Sequence, residues 1–167
     1  MPISFLPDIM VDGVSHITPE LLNIHGVKLL MMDFDNTIVP YTTDVPDSAF
    51  LQWLGKLKLS DVKLCVVSNS RNSRVPKFCK KYGIDFITHA KKPFSDGIKR
   101  CLVKYHLKPS ACALVGDQIF TDTLGANCAG IKSILVPAID NHNIWLKLRH
   151  VAELPFIYVA KNRRIRL

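Results

Sequence analysis

The chain has 167 residues, 22 Lys and Arg against 14 Asp and Glu, a formal charge of +8, and 48% hydrophobic residues. These values exclude a disordered or fibrous chain and fit one soluble α/β domain, large enough for a real core and too short for two. The positive balance favours anionic partners such as phosphates, nucleic acids or acidic lipid headgroups without choosing among them.

Residues 1–26, apolar in places such as Phe5-Leu6-Pro7 and Leu21-Leu22, read as a lead-in that covers a sheet edge or lies on a membrane surface. Residues 27–33 predict a strand that is apolar apart from Lys28 and lacks alternation, as in a parallel sheet covered on both faces. It runs straight into Asp33-Phe34-Asp35-Asn36-Thr37. A helix near 47–58 follows, with Asp47 placed to cap it, then a strand over 62–68 leading into Ser68-Asn69-Ser70. A helix over 72–82 stops at Gly83, and a short strand over 85–88 precedes Lys91-Lys92-Pro93. A helix over 94–106 and a strand over 111–116 lead to Gly116-Asp117-Gln118, with Thr121 and Asp122 just beyond. A helix over 120–129, ended by Gly130, and a strand over 131–136 complete the alternation, which predicts a Rossmann-like parallel sheet with helices on both faces. After Pro137, the residues Trp145, Leu146, Leu148 and Val151 predict an amphipathic helix and Phe156–Val159 a strand, closing the core ahead of the basic end 161–167. The expected organisation is a single domain over 1–167, with its core at about 27–136 and a C-terminal extension over 137–167.

In open parallel sheets the reactive crevice lies beyond the carboxyl ends of the strands, where these polar segments fall. Together they supply an acid pair, hydroxyls, an ammonium group and a second acid pair. Each suits a phosphate ester. A carboxylate can attack phosphorus and split hydrolysis into two easier steps. Attack of anion on anion requires counter-charge, from a hard divalent cation held by carboxylates and from a lysine acting as a point charge. The bland reading of Asp33 and Asp35, acids that merely turn a strand end into a loop, weakens as the other segments accumulate in order.

Asp33-x-Asp35-x-Thr37, then Ser68, then Lys92, then Gly116-Asp117 with Asp122, resembles the four-motif pattern of the haloacid dehalogenase superfamily over about residues 27–136. The resemblance implies Asp33 as nucleophile and Asp35 as general acid and base. It implies Mg2+ on Asp33, on the backbone carbonyl of Asp35 and on Asp117. Lys92 would neutralise the phosphate, Thr37, Ser68 and Asn69 would help bind it, and Asp122 would act as a further acidic contact or orient Lys92. Lys91 adjoins Lys92; the Lys-Pro pair favours Lys92. Asn36 stands where many members carry glycine, which suits a left-handed residue.

The intervals between Asp33 and Ser68 and between Ser70 and Pro93 leave no room for a cap domain. The capless layout and the Asp-Asn-Thr motif resemble subfamily IIIA, which includes phosphatidylglycerophosphate phosphatases. That implies a lipid headgroup phosphate as substrate. The basic end itself reads either as a solvated tail or as a surface that docks peripherally on anionic membrane, and a homodimer would be a means of closing the open site. The competing readings are a soluble phosphatase for a sugar, nucleotide or histidinol phosphate, and a basic RNA- or ribosome-binding module. Aromatic and basic residues are not interleaved on any predicted strand, so nucleic acid is not an expected partner. The cysteines, Cys65, Cys79, Cys101, Cys112 and Cys128, form no C-x-x-C pair and read as reduced core residues of a cytosolic-type compartment. No segment has the about 18 apolar residues of a spanning helix, and no signal-peptide pattern opens the chain, so secretion is not expected.

Overall fold

The structure is a computed structural model that describes residues 4–140 and 144–162, with side chains described for 4–140 and 151–162. Six parallel strands form one sheet: β1 (Ile9–Met10), β2 (Leu29–Met32), β3 (Lys63–Val67), β4 (Asp85–Ile87), β5 (Cys112–Gly116) and β6 (Lys132–Leu135), in the order β1-β6-β5-β2-β3-β4. The central pairs run in register, with Met32 opposite both Val66 and Val115. From β2 the chain builds toward β3 and β4, then returns to β5 and builds the other way. The order therefore reverses between β2 and β5, and a crevice opens at their carboxyl ends.

Alternation along β2 divides the core. Leu30, Met32 and Phe34 pack with α2 (Ser48–Lys58) and α3 (Arg74–Tyr82) on one face. Leu29 and Met31 pack with α4 (Asp96–Tyr105) and α5 (Leu124–Ala129) on the other. All four β2 residues are buried, which is why this strand carries no polar alternation. Three end signals act as expected, with Asp47 accepting from Phe50 N–H at 2.7 Å and Gly83 and Gly130 ending α3 and α5 in left-handed conformations, whereas α3 starts at Arg74 rather than at residue 72.

The expected 120–129 helix begins as a widened turn over Ile119–Thr123, in which the Thr123 N–H reaches the Gln118 carbonyl, before α5 proper. The N-terminal lead-in takes its covering role: β1 extends the sheet beside β6, and Ile17 and Leu22, the latter in α1 (Pro19–Ile24), are buried against it. The predicted strand at 156–159 is instead part of one helix, α6 (Ile144–Asn162), which continues through Pro155. The better-covered residues in that stretch, Glu153, Phe156, Ile157 and Ala160, fall at helical spacing, so the burial period overrides the strand-like apolar run. Side chains of Trp145, Leu146 and Leu148 and all of residues 163–167, which hold the expected basic end, lie outside the described residues. Of the five cysteines, four are buried and Cys128 is exposed, a correction to its reading as a core residue. Burial pushes the Cys79 thiol up to about 12 and Cys112 to about 11, which keeps both protonated and unreactive. Among the described residues, no helix is long and apolar enough to cross a membrane.

At the start of α4, Gly97 donates its N–H to the Ala90 carbonyl at 3.0 Å, and an added Cβ would strike the Ala90 backbone. Gly97→Ala is therefore expected to lower stability by about 1–3 kcal/mol through overpacking, read as a lower urea midpoint at unchanged slope.

Candidate active site

β2 ends at Met32, and the chain then turns so tightly that Ile38 N–H bonds back to the Phe34 carbonyl and Asn36 N–H to that of Val39. Two residues apart on a strand would share a face, but within this turn the two acids diverge. Asp33 points to Lys92, and Asp35 points to Arg74. Asn36 sits at φ 66, and its side-chain amide both donates to the Asp140 carbonyl and accepts the Asp140 N–H. Glycine would adopt the conformation but could not make that clasp.

Lys92 is the charged centre of the crevice. Its Nζ donates to Asp33 Oδ1 at 2.6 Å and to Asp122 Oδ1 at 2.7 Å, with the side chains of all three largely removed from solvent. Burial alone would lower its ammonium, yet Asp122 and Asp33 more than offset that and hold it above the usual lysine range. Lys91 is exposed at φ 58, so the geometry separates the adjacent lysines. The Lys92-Pro93 bond is cis. Asn69 holds the Lys92 backbone from both sides, accepting its N–H at 2.7 Å and donating to its carbonyl at 2.9 Å. That bidentate grip gives Asn69 a positioning contact beside its expected one with phosphate.

From β5, Asp117 enters the crevice and accepts from the Thr37 hydroxyl at 3.3 Å, so Thr37 also supports a carboxylate. Asp122 reaches back from the widened turn, with Oδ2 accepting Gln118 N–H at 3.2 Å and its side chain lying against Gly116, where a Cβ would collide with it. Burial raises Asp122 to about 6, with Asp33 adding to the rise against the pull of Lys92. Asp35, half-buried, is also raised, by burial and then by Asp33, against Arg74. Ser68 is buried and accepts Ser70 N–H at 3.0 Å, which leaves its hydroxyl proton to donate. Ligand oxygens of Asp33, Asp117 and Asp122 lie within 4.8 Å of one another, a hard-oxygen set suited to a divalent cation. Three carboxylates against one ammonium leave that group formally at −2, a charge such a cation would cancel.

Residues 46–136 match the family of haloacid dehalogenase-like hydrolases. A probable phosphatase of Bacillus subtilis (strain 168), YqeG, is 38% identical over 132 residues, spanning 79% of this chain and 77% of that protein. The chain belongs to the haloacid dehalogenase-like hydrolase family. In fold it resembles an uncharacterized protein from Listeria monocytogenes serotype 4b (21% identity, TM-score 0.56, 79% of this chain and 99% of that one). It also resembles the cobalt-bound deoxy-D-mannose-octulosonate 8-phosphate phosphatase of Haemophilus influenzae (12% identity, TM-score 0.54, 75% and 76%).

Two residues of this hydrolase escaped the motif reading. Arg74, the first residue of α3, reaches Asp35; nothing in its local sequence marks it among the neighbouring basic residues. Glu153 of α6 is buried and its Oε1 accepts Ile119 N–H at 2.9 Å and Phe120 N–H at 3.2 Å, anchoring the turn that carries Asp122. It is the one acid after Asp140 in a basic and apolar stretch, a signal that a lone charge there has a buried partner. Lys92→Met is expected to cost about 3–5 kcal/mol, because it strands buried carboxylates. Asp122→Asn in the same background should recover part of that loss, with urea unfolding of wild type, single and double variants reading both effects.

Proposed function

We propose that this hydrolase is a Mg2+-dependent phosphomonoesterase that works through an aspartyl phosphate on Asp33, with phosphatidylglycerophosphate as its substrate. The observation that carries the reaction class is the buried set of three carboxylates, two of them paired with Lys92, which suits a phosphate dianion only when a cation accompanies it. The 38% identity to a probable phosphatase supports the same reading.

Asp33, Asp117 and the Asp35 backbone carbonyl would hold Mg2+, which when bound supplies charge neutralisation at the phosphoryl oxygens. Lys92 fixes one oxygen of Asp33 and leaves the other to attack phosphorus. As that P–O bond forms, the bond to the alcohol breaks and Asp35 delivers its proton to the departing oxygen. Water then attacks the phosphorus of the aspartyl phosphate and gives its proton to Asp35, and the bond to Asp33 breaks to release inorganic phosphate. Lys92 balances charge on the transferring group throughout, Ser68 donates to one of its oxygens, and Thr37 and Asn69 hold Asp117 and Lys92 in place.

Three features support the lipid substrate. Among the described residues no inserted domain covers the crevice, so the leaving group stays open to a large partner. Beside Asp117 lies a cavity of about 180 Å3 whose walls include Met10, Val11, Leu135, Pro137 and Ile157, with Asp12 and Lys161 also in its lining, which places apolar surface close to the carboxylates. The charge of +8 favours an anionic surface.

Phosphate release from phosphatidylglycerophosphate in mixed micelles, from sugar phosphates and from nucleoside monophosphates, each with and without Mg2+, tests the proposal. Wild type should act on the lipid only with metal, and Asp33→Asn should lose at least about 1,000-fold as the nucleophile is removed. Activity confined to soluble esters would refute the lipid assignment, and metal-independent or Asp33-independent release would refute the mechanism. Chelation followed by Mg2+ return should abolish and restore turnover.

A further inference from the structure

We infer that Arg74 is the positioning residue for the general acid, a fork that fixes Asp35 against the loop following the first motif. This inference rests on the phosphatase reading above. Nη1 of Arg74 donates to Asp35 Oδ1 at 2.5 Å, Nη2 donates to the carbonyls of Pro40, at 2.6 Å, and Thr43, and Nε pairs with Asp44. Four of its five N–H groups are thus committed to protein acceptors, which distinguishes it from an arginine held ready for a substrate phosphate. Its guanidinium also lies over the Phe34 ring, 5.1 Å from the centroid, and Phe34 is itself fully buried edge-on to Phe78 at 5.0 Å. The plane of the fork is therefore set by the core, and the Asp35 carboxylate inherits that setting.

The geometry assigns a division of labour between the two cations. Lys92 touches the nucleophile, and Arg74 touches the acid, from the opposite face of the sheet. An alcohol leaving group needs the proton placed on its oxygen as the bond breaks, and a misdirected carboxyl cannot place it. A nitrophenolate departs without one. Loss of Arg74 should therefore discriminate between esters by their leaving groups.

The test compares kcat/KM of wild type, Arg74→Met, Arg74→Lys and Asp44→Ala, all with Mg2+, on the aryl ester 4-nitrophenyl phosphate and on the alkyl ester phosphatidylglycerophosphate in mixed micelles. This ratio reports steps up to loss of the alcohol. Arg74→Met is expected to fall about 100-fold or more on the alkyl ester, the usual worth of general acid catalysis, and less than about 10-fold on the aryl ester. KM should change little on either. Arg74→Lys keeps the charge without the fork and should remain selectively impaired, and Asp44→Ala, which removes one anchor of the fork, should show the same bias more weakly. Equal losses on both esters, a rise in KM with kcat unchanged, or full activity in Arg74→Lys would each overturn the inference. Should Arg74→Met fail to fold, the Lys and Asp44 variants decide by the same ratio. A wild type silent on both esters would remove the phosphatase reading and this inference with it, whereas active, Asp33-dependent wild type with no ester bias in the variants removes the inference alone.

Discussion

A buried ammonium is the constraint on which this site is built. Taking Lys92 out of water is costly, and only two carboxylates at hydrogen-bond distance make it tolerable. The three charges must therefore arrive together from separate parts of the chain: the end of β2, the turn before α4 and the widened turn after β5. Each arrival has its own support. Asn69 grips the Lys92 backbone, Gly97 lets α4 close on Ala90, and Gly116 leaves space for the Asp122 side chain. The glycines here are spacings rather than hinges, since what each provides is the absence of a Cβ.

The parts of the molecule that follow from burial on a sheet were legible in the sequence. The all-apolar β2 announced coverage on both faces, the acids after it and after β5 fell at the strand ends, and Asp47, Gly83 and Gly130 marked helix limits by local chemistry. Asn36 was legible too, because a left-handed residue at that turn was expected. Phe156–Val159 misled because four apolar residues in a row carry no period of their own; the burial of Glu153 and Ala160 on either side sets it, and that is a tertiary fact. Two-residue β1 is too short to declare itself and exists through its pairing with β6. Arg74 was invisible for a related reason, since its partners lie on a loop 30 to 39 residues earlier and Arg71 and Lys77 nearby are also basic.

The two acids of the first motif live in unlike surroundings although one residue separates them. Asp33 is sealed against Lys92, whereas Asp35 keeps contact with solvent and with a loop. Burial and the nearby Asp33 charge favour the protonated form of Asp35. One carboxylate paired with a lysine and one biased toward carrying a proton form the unequal pair that the proposed cleavage by two carboxyl groups would use.

Glu153 ties this chemistry to the last helix of the described fold. The backbone N–H groups of Ile119 and Phe120 take their acceptor from a residue that follows them by all of α5, all of β6 and the first half of α6. Release of α6 would leave those N–H groups without their carboxylate acceptor, so a disturbance in this helix would reach Asp122 through the backbone of its turn.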